Sequence, residues 1–294
     1  MTDESDRAGF EALTQSGADD DEDAARSLAA ALKAEPDPGQ LKAIAALWLH
    51  AAAAAPERLA PIYDGAAEGW IGERVGGPPI RSVAGLPPAL IPPAFWNVLW
   101  ALVAEAGGLG STTRGAAALG DLLSPELAQR AKRIGDAFPA GSAMAPSLPF
   151  DAKALGRCPP GSLGAAFLGL SAGAIGPSMR TRDFWRLTAG YQATTLHEAA
   201  FTAFQLAQTG HPAPAKILAV MLTRVAYQQP AGGAILLPAI LMAWTHGRRT
   251  PPLHAVRWDK LWDKSLDEVR AQLGVKVYVS PFPPNLFEQA VVKL

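Results

Sequence analysis

The stretch Arg180-Thr-Arg-Asp-Phe-Trp-Arg-Leu-Thr-Ala-Gly-Tyr-Gln-Ala-Thr-Thr-Leu-His-Glu198, running on through Ala199-Ala-Phe-Thr-Ala-Phe-Gln-Leu-Ala-Gln-Thr-Gly210, decides how this chain is read. On a helix Arg182 and Arg186 share one face, with Asp183 beside them. Glu198 lies beyond Gly190, and on one straight helix it would stand roughly 18 Å from Arg186, at about 1.5 Å of rise per residue. The four polar side chains therefore form one site only if the chain folds back between them. Gly190 supplies the break, because glycine enters the left-handed region at little cost. Thr194 and Thr195 are candidate N-caps for the second arm, and Thr195 with Glu198 has the spacing of a capping box. Leu196, Ala200, Phe204 and Ala207 give that arm an apolar side. The expectation is helix, bend, helix.

Outward from this stretch the same periodicity recurs. Helices are predicted over residues 94–103, where Phe95, Val98, Leu99 and Leu102 share a face, over 124–138 behind the Ser124-Pro125 start signal, and over 165–170. Further helices are predicted over 213–227 and 231–245, and from the Ser265–Glu268 capping box to Gly274. Residues 275–279 alternate like one short strand, with no partner strand evident. The reading is an all-α, single, bundle-like multi-helix domain. It is divided into a disordered acidic tail over 1–24, a helical hairpin over 25–63 turned by Pro36-Asp37-Pro38, a Gly/Pro-rich linker over 64–93, the main helical domain over 94–275 and a C-terminal extension over 276–294. The alanine run at 51–55 favours helix but offers little side chain to pack, and His50 has no second ligand at helical spacing, so it is assigned a surface or packing role.

Composition narrows the function. Lys and Arg number 26 against 27 Asp and Glu, so the net charge of −1 gives no general attraction to nucleic acid, and no basic stripe offsets that. One cysteine, Cys158, excludes an internal disulfide and a thiolate zinc cluster. The apolar run over 231–244 is shorter than the ~20 residues of a membrane span and contains Pro238. An acidic N-terminus is unlike a secretory or transit peptide. The expected setting is cytoplasmic, with peripheral contact at the inner face of a membrane. The glycines at 72–77 lack the flanking strand and the Lys-Ser/Thr pair of a phosphate loop.

Three blocks in order carry a family resemblance. Asp183-Phe-Trp-Arg-Leu-Thr-Ala-Gly-Tyr191, followed by Leu196-His-Glu-Ala-Ala-Phe-Thr-Ala-Phe-Gln-Leu-Ala-Gln208, resembles the fourth protein of coenzyme Q (ubiquinone) biosynthesis, whose signature is His-Asp-x-x-His with a Glu on the next helix. Leu155-Gly-Arg-Cys-Pro-Pro-Gly-Ser-Leu-Gly-Ala-Ala-Phe167 and residues 262–275 resemble two flanking blocks of the same family, so the resemblance spans about 90–275. It implies a helical fold, a metal site, zinc, built from the two His, the Asp and the Glu, and action on the prenylated benzenoid precursors of ubiquinone, by oxidative removal of the ring carboxyl or by organising other biosynthetic proteins. It also allows a homodimer.

Carried over by position, the family's ligands fall on Arg182, Asp183, Arg186 and Glu198, so both histidines are arginine here. A guanidinium has no lone pair to donate, and Asp183 and Glu198 alone, as residual candidates, make a poor zinc site. Two arginines balance two carboxylates without any cation. No cofactor is therefore expected, and the reading is a non-catalytic, metal-free relative that binds a prenyl lipid or quinone precursor, or organises a biosynthetic complex. Phe201, Phe204, Met221 and Trp244 are candidate groove-lining residues, with core packing as their ordinary role. Two alternatives stay open: a metal-dependent decarboxylase or hydroxylase using Asp183, Glu198 and His197, and a scaffold without a small ligand. His197 stands about 100° around the helix from Glu198, and it and His211, His246 and His254 are assigned packing or surface roles.

Overall fold

The computed structural model describes residues 4–77, 88–105, 109–123, 152–172 and 181–286 with isolated positions 125, 126, 129 and 289, and among them are thirteen α-helices and no strand. In chain order they are α1 (Glu4–Ser16), α2 (Asp21–Ala34), α3 (Pro38–Ala53), α4 (Leu59–Ile71), α5 (Pro93–Ala104), α6 (Leu109–Asp121), α7 (Ala152–Leu155), α8 (Leu163–Ala172), α9 (Thr181–Ala189), α10 (Thr195–Thr209), α11 (Pro212–Gln228), α12 (Gly233–Arg249) and α13 (Leu266–Leu273). Helices predicted over 94–103, 165–170, 213–227 and 231–245 correspond to α5, α8, α11 and α12; most of 124–138 lies outside the described residues.

The N-terminal acidic segment is not a disordered tail. Residues 4–16 form α1, which buries Phe10 against Trp100 and Tyr227 in edge-on contacts at centroid distances of 5.5 and 5.7 Å. The Asp19–Asp23 run is helix-start chemistry. Asp20 is the N-cap of α2 and accepts from the Glu22 and Asp23 amides, and the acids of the first turn lie at the positive end of the helix dipole. The Asp21 carboxylate turns back to the Ala18 amide at 2.7 Å.

Nor does the expected hairpin stand apart. α3 is buried all round from Ile44 to Ala53 and packs on α11, with α1 on another side. Its alanines, which offer little side chain, occupy the middle of the molecule because a small side chain lets neighbouring helices approach. His50 is buried there, its Nδ1 3.0 Å from the Thr14 carbonyl. The expected linker begins later than predicted, because α4 continues to Ile71 and ends on Gly72 at φ +87°. Gly65 and Gly69 of α4 lie against the backbone of α2; an added Cβ would stand 2.3 Å from the Glu22 carbonyl oxygen and 2.0 Å from that of Arg26.

α10 and α12 make an equally close crossing, with Gly247 against Ala207 and the Phe204 backbone. Tyr63 stacks on Trp48 at 4.5 Å and meets Trp244 in a tilted contact at 5.0 Å, joining α3, α4 and α12 at the centre. Residues 275–279 form no strand. They run as an irregular segment beside the α9 end, where the Tyr278 amide donates to the Ala189 carbonyl at 2.8 Å. The isolated Ser162–Ser265 bridge is the one β-type pairing among the described residues. No described helix is long and apolar enough to cross a membrane.

Candidate functional site

The two arms of the predicted bend are α9 and α10, and the turn is Gly190 at φ +80°. The amides of Gly190 and Tyr191 both donate to the Arg186 carbonyl, at 2.9 and 3.0 Å, closing α9 as the chain reverses. A Cβ on Gly190 would meet Val277 Cγ1 at 2.5 Å, so the position needs glycine for both conformation and space. From α13, Arg270 donates its Nε to the Thr188 carbonyl at 2.9 Å and its Nη2 to the Leu187 carbonyl at 3.1 Å. This places a cation on the negative end of α9.

The reversal brings Arg186 and Glu198 together. Arg186, 5 % exposed, donates Nη2 to Glu198 Oε2 at 2.6 Å and pairs through Nη1 with Oε1, a two-point fork on one carboxylate. Nη1 also reaches the Gln192 carbonyl at 3.3 Å, and the guanidinium lies over the Phe201 ring with its central carbon 4.8 Å from the ring centroid. The predicted capping box is not formed. The N-cap of α10 is Thr194, whose hydroxyl accepts the His197 amide, so Glu198 sits one position too far along to close the box. Arg186 takes its carboxylate instead. Arg182 and Asp183, half-buried, approach each other at 3.9 Å, so of the four predicted positions the structure joins 186 to 198 and 182 to 183.

His197 is buried beside this pair. Its Nδ1 accepts the Gln192 amide at 3.0 Å, which puts the ring proton on Nε2, an atom with no hydrogen-bond partner among the described residues. Burial, then the Arg186 charge, holds its pKa below the ordinary imidazole value, with Glu198 opposing. Behind it lies an aromatic group that the sequence reading missed. Tyr191 and Tyr278 stack at 4.5 Å, the Tyr191 hydroxyl lies 2.9 Å from His246 Nδ1, and His246 Nε2 lies 2.8 Å from the Lys276 carbonyl. A carbonyl only accepts, so Nε2 carries the proton and Tyr191 donates to Nδ1. Burial pushes Tyr191 well up and His246 down. Tyr191, His246 and Tyr278 lie 32 to 87 positions apart, at no helical spacing that could link them.

Phe201, Phe204, Met221 and Trp244, offered as groove-lining residues, are all in the core, with Trp244 and Phe204 fully buried. Trp244 instead donates Nε1 to Asp64 at 2.8 Å, and Arg248 holds the same carboxylate at 3.1 and 3.2 Å. Burial raises the Asp64 pKa against the pull of Arg248.

The zinc that the sequence resemblance implies does not fit these residues. Both oxygens of Glu198 are engaged by Arg186, Asp183 faces Arg182, and the guanidinium groups cannot ligate. Among the described residues no group of three or more His, Cys, Asp or Glu side chains is arranged to hold a metal ion.

Residues 177–278, from before α9 through Tyr278, match the family model described as "Coenzyme Q (ubiquinone) biosynthesis protein Coq4". Over this segment, about a third of the chain, the sequence is similar to the Coq4 family. The matched segment contains both arms of the bend, the Arg186–Glu198 pair and the Tyr191–His246–Tyr278 group, while α1 to α8 lie outside it. A crystal structure of a protein of Nostoc punctiforme PCC 73102, provisionally assigned to ubiquinone biosynthesis, is similar to this chain at 24 % identity and a TM-score of 0.48, covering 62 % of this chain and 95 % of that one. No curated protein matches the chain.

Proposed function

We propose that this chain serves coenzyme Q biosynthesis as a metal-independent accessory protein, acting by binding a prenyl lipid or quinone precursor or by holding biosynthetic partners rather than by turning over the benzenoid ring. The Coq4 match supports the pathway. The observation that carries the metal-independent part is the two-point Arg186–Glu198 pair, which fills the family's metal frame with a permanent organic cation. Guanidinium supplies the positive charge that a zinc ion would bring, but no open coordination position, so it cannot polarise a bound carboxyl group or activate water as a Lewis acid does.

Metal content tests this. Protein purified without chelator is expected to carry far less than one equivalent of zinc or iron, and the folded Arg182→His/Arg186→His variant is expected to take up zinc, because it restores two imidazoles to the frame beside Asp183 and Glu198. Near-stoichiometric metal in the unaltered protein, lost on Glu198→Ala, overturns the proposal and favours the metal-dependent decarboxylase reading. Organic extraction followed by mass spectrometry separates the binding form from the scaffold form: a co-purifying isoprenoid or quinone supports the first.

A further inference from the structure

A second feature lies away from the Arg186–Glu198 frame and does not depend on it. Two proline-bearing turns, at 36–38 between α2 and α3 and at 230–232 between α11 and α12, face each other across a pocket of about 130 Å³ closed by Trp70 of α4. Leu32, Leu41 and Leu237 form its buried walls, and Ala234 stands exposed at its edge. Proline has little backbone freedom to lose and the remaining walls are helical, so the cavity exists before any ligand arrives and little is spent on ordering it. A cavity of about 150 Å³ with apolar walls admits a benzene ring, so this one takes a group of six or seven non-hydrogen atoms.

Its one ionisable lining residue is Asp37. Asp37 Oδ1 caps α3 by accepting the Gln40 amide at 2.7 Å, while Oδ2 has no protein partner among the described residues. The neighbouring Lys33 ammonium is held by the Trp70 carbonyl at 2.6 Å and does not line the pocket. An indole, aliphatic walls and a lone carboxylate at the rim select by charge as well as size. The carboxylate attracts a cation and repels an anion of the same shape.

We propose that this pocket is a binding site for a compact apolar group bearing a positive charge, an aryl- or alkylammonium, with the body between Trp70 and Leu237 and the charge at Asp37. Benzylamine, benzyl alcohol and benzoate, nearly equal in size, test it by ligand-observed NMR titration at low salt. Benzylamine is expected to bind with a dissociation constant on the order of 1 mM, the range for so small a ligand. Its advantage over benzyl alcohol is up to about fivefold, the size of an exposed ion pair, and benzoate is weakest. Asp37→Asn keeps the helix cap, since asparagine caps as well as aspartate, and is expected to bring benzylamine and benzyl alcohol to equal affinity. Ala234→Phe, at an exposed position, is expected to abolish binding of all three without unfolding the protein. Benzoate binding as tightly as benzylamine, benzylamine keeping its advantage in Asp37→Asn, or full binding in Ala234→Phe overturns the proposal.

Discussion

Replacing Glu198 by alanine measures what the buried guanidinium of Arg186 needs from its partner. Arg186 is 5 % exposed, so in the variant its charge stays inside with the Gln192 carbonyl and the Phe201 ring as its remaining neighbours. Breaking a fully buried pair costs about 3–5 kcal/mol. The Glu198 side chain is 32 % exposed, so water already screens part of the attraction, and one backbone acceptor survives. Discounted for both, the expected loss is about 2–3 kcal/mol. For a chain of this size that is a fall of about 4–12 °C in Tm. Arg186→Met should cost less, about 1–2 kcal/mol, since the thioether keeps contact with Phe201 and the freed carboxylate can be hydrated. The informative variant is the double one. With the stranded charge removed, Arg186→Met/Glu198→Ala is expected to be about 1 kcal/mol more stable than Glu198→Ala alone, a coupling of about 2–3 kcal/mol. Urea titration of all four proteins at fixed pH completes the cycle. Additive single effects, or Glu198→Ala within about 0.5 kcal/mol of the unaltered protein, would refute the reasoning.

Burial lowers all five imidazole pKa values, those of His50, His197, His211, His246 and His254. The unfolded chain then binds more protons than the folded one below about pH 6.5, so stability is full above that value and falls on acidification. The urea midpoint should drop between pH 7.5 and 6.0, and by less in His246→Gln; a midpoint that rises over this window contradicts the assignment. Gly69→Ala places a Cβ 2.0 Å from the Arg26 carbonyl oxygen and must push α2 from α4. A loss of about 2–4 kcal/mol is expected, read by the same titration, whereas a helix-propensity gain of up to about 1 kcal/mol would show the two helices to be separable.

Much of the helical framework was legible without coordinates because its signals are local. The Gly190 bend, the Ser265–Glu268 capping box and the ends at Gly210 and Gly274 rest on backbone freedom and cap hydrogen bonds within a few residues. The misreadings share one cause. The acid run at 19–23 and the alanine run at 51–55 are locally ambiguous, since acids suit a solvated tail or a helix start, and alanines suit an exposed helix or a crowded centre. Which applies depends on what packs against them.

The candidate site divides along the same line. That Arg182 and Arg186 cannot ligate a metal follows from the side chains themselves, since a guanidinium lacks a lone pair wherever it is placed. That position 186 grips 198 while 182 turns to 183, that Thr194 rather than Thr195 caps α10, and that Tyr191, His246 and Tyr278 meet, were decided by tertiary structure alone. Sequence determines which groups a residue can offer and the period at which they recur; the partner each group finds depends on how distant helices cross, and that is set by the shapes buried between them.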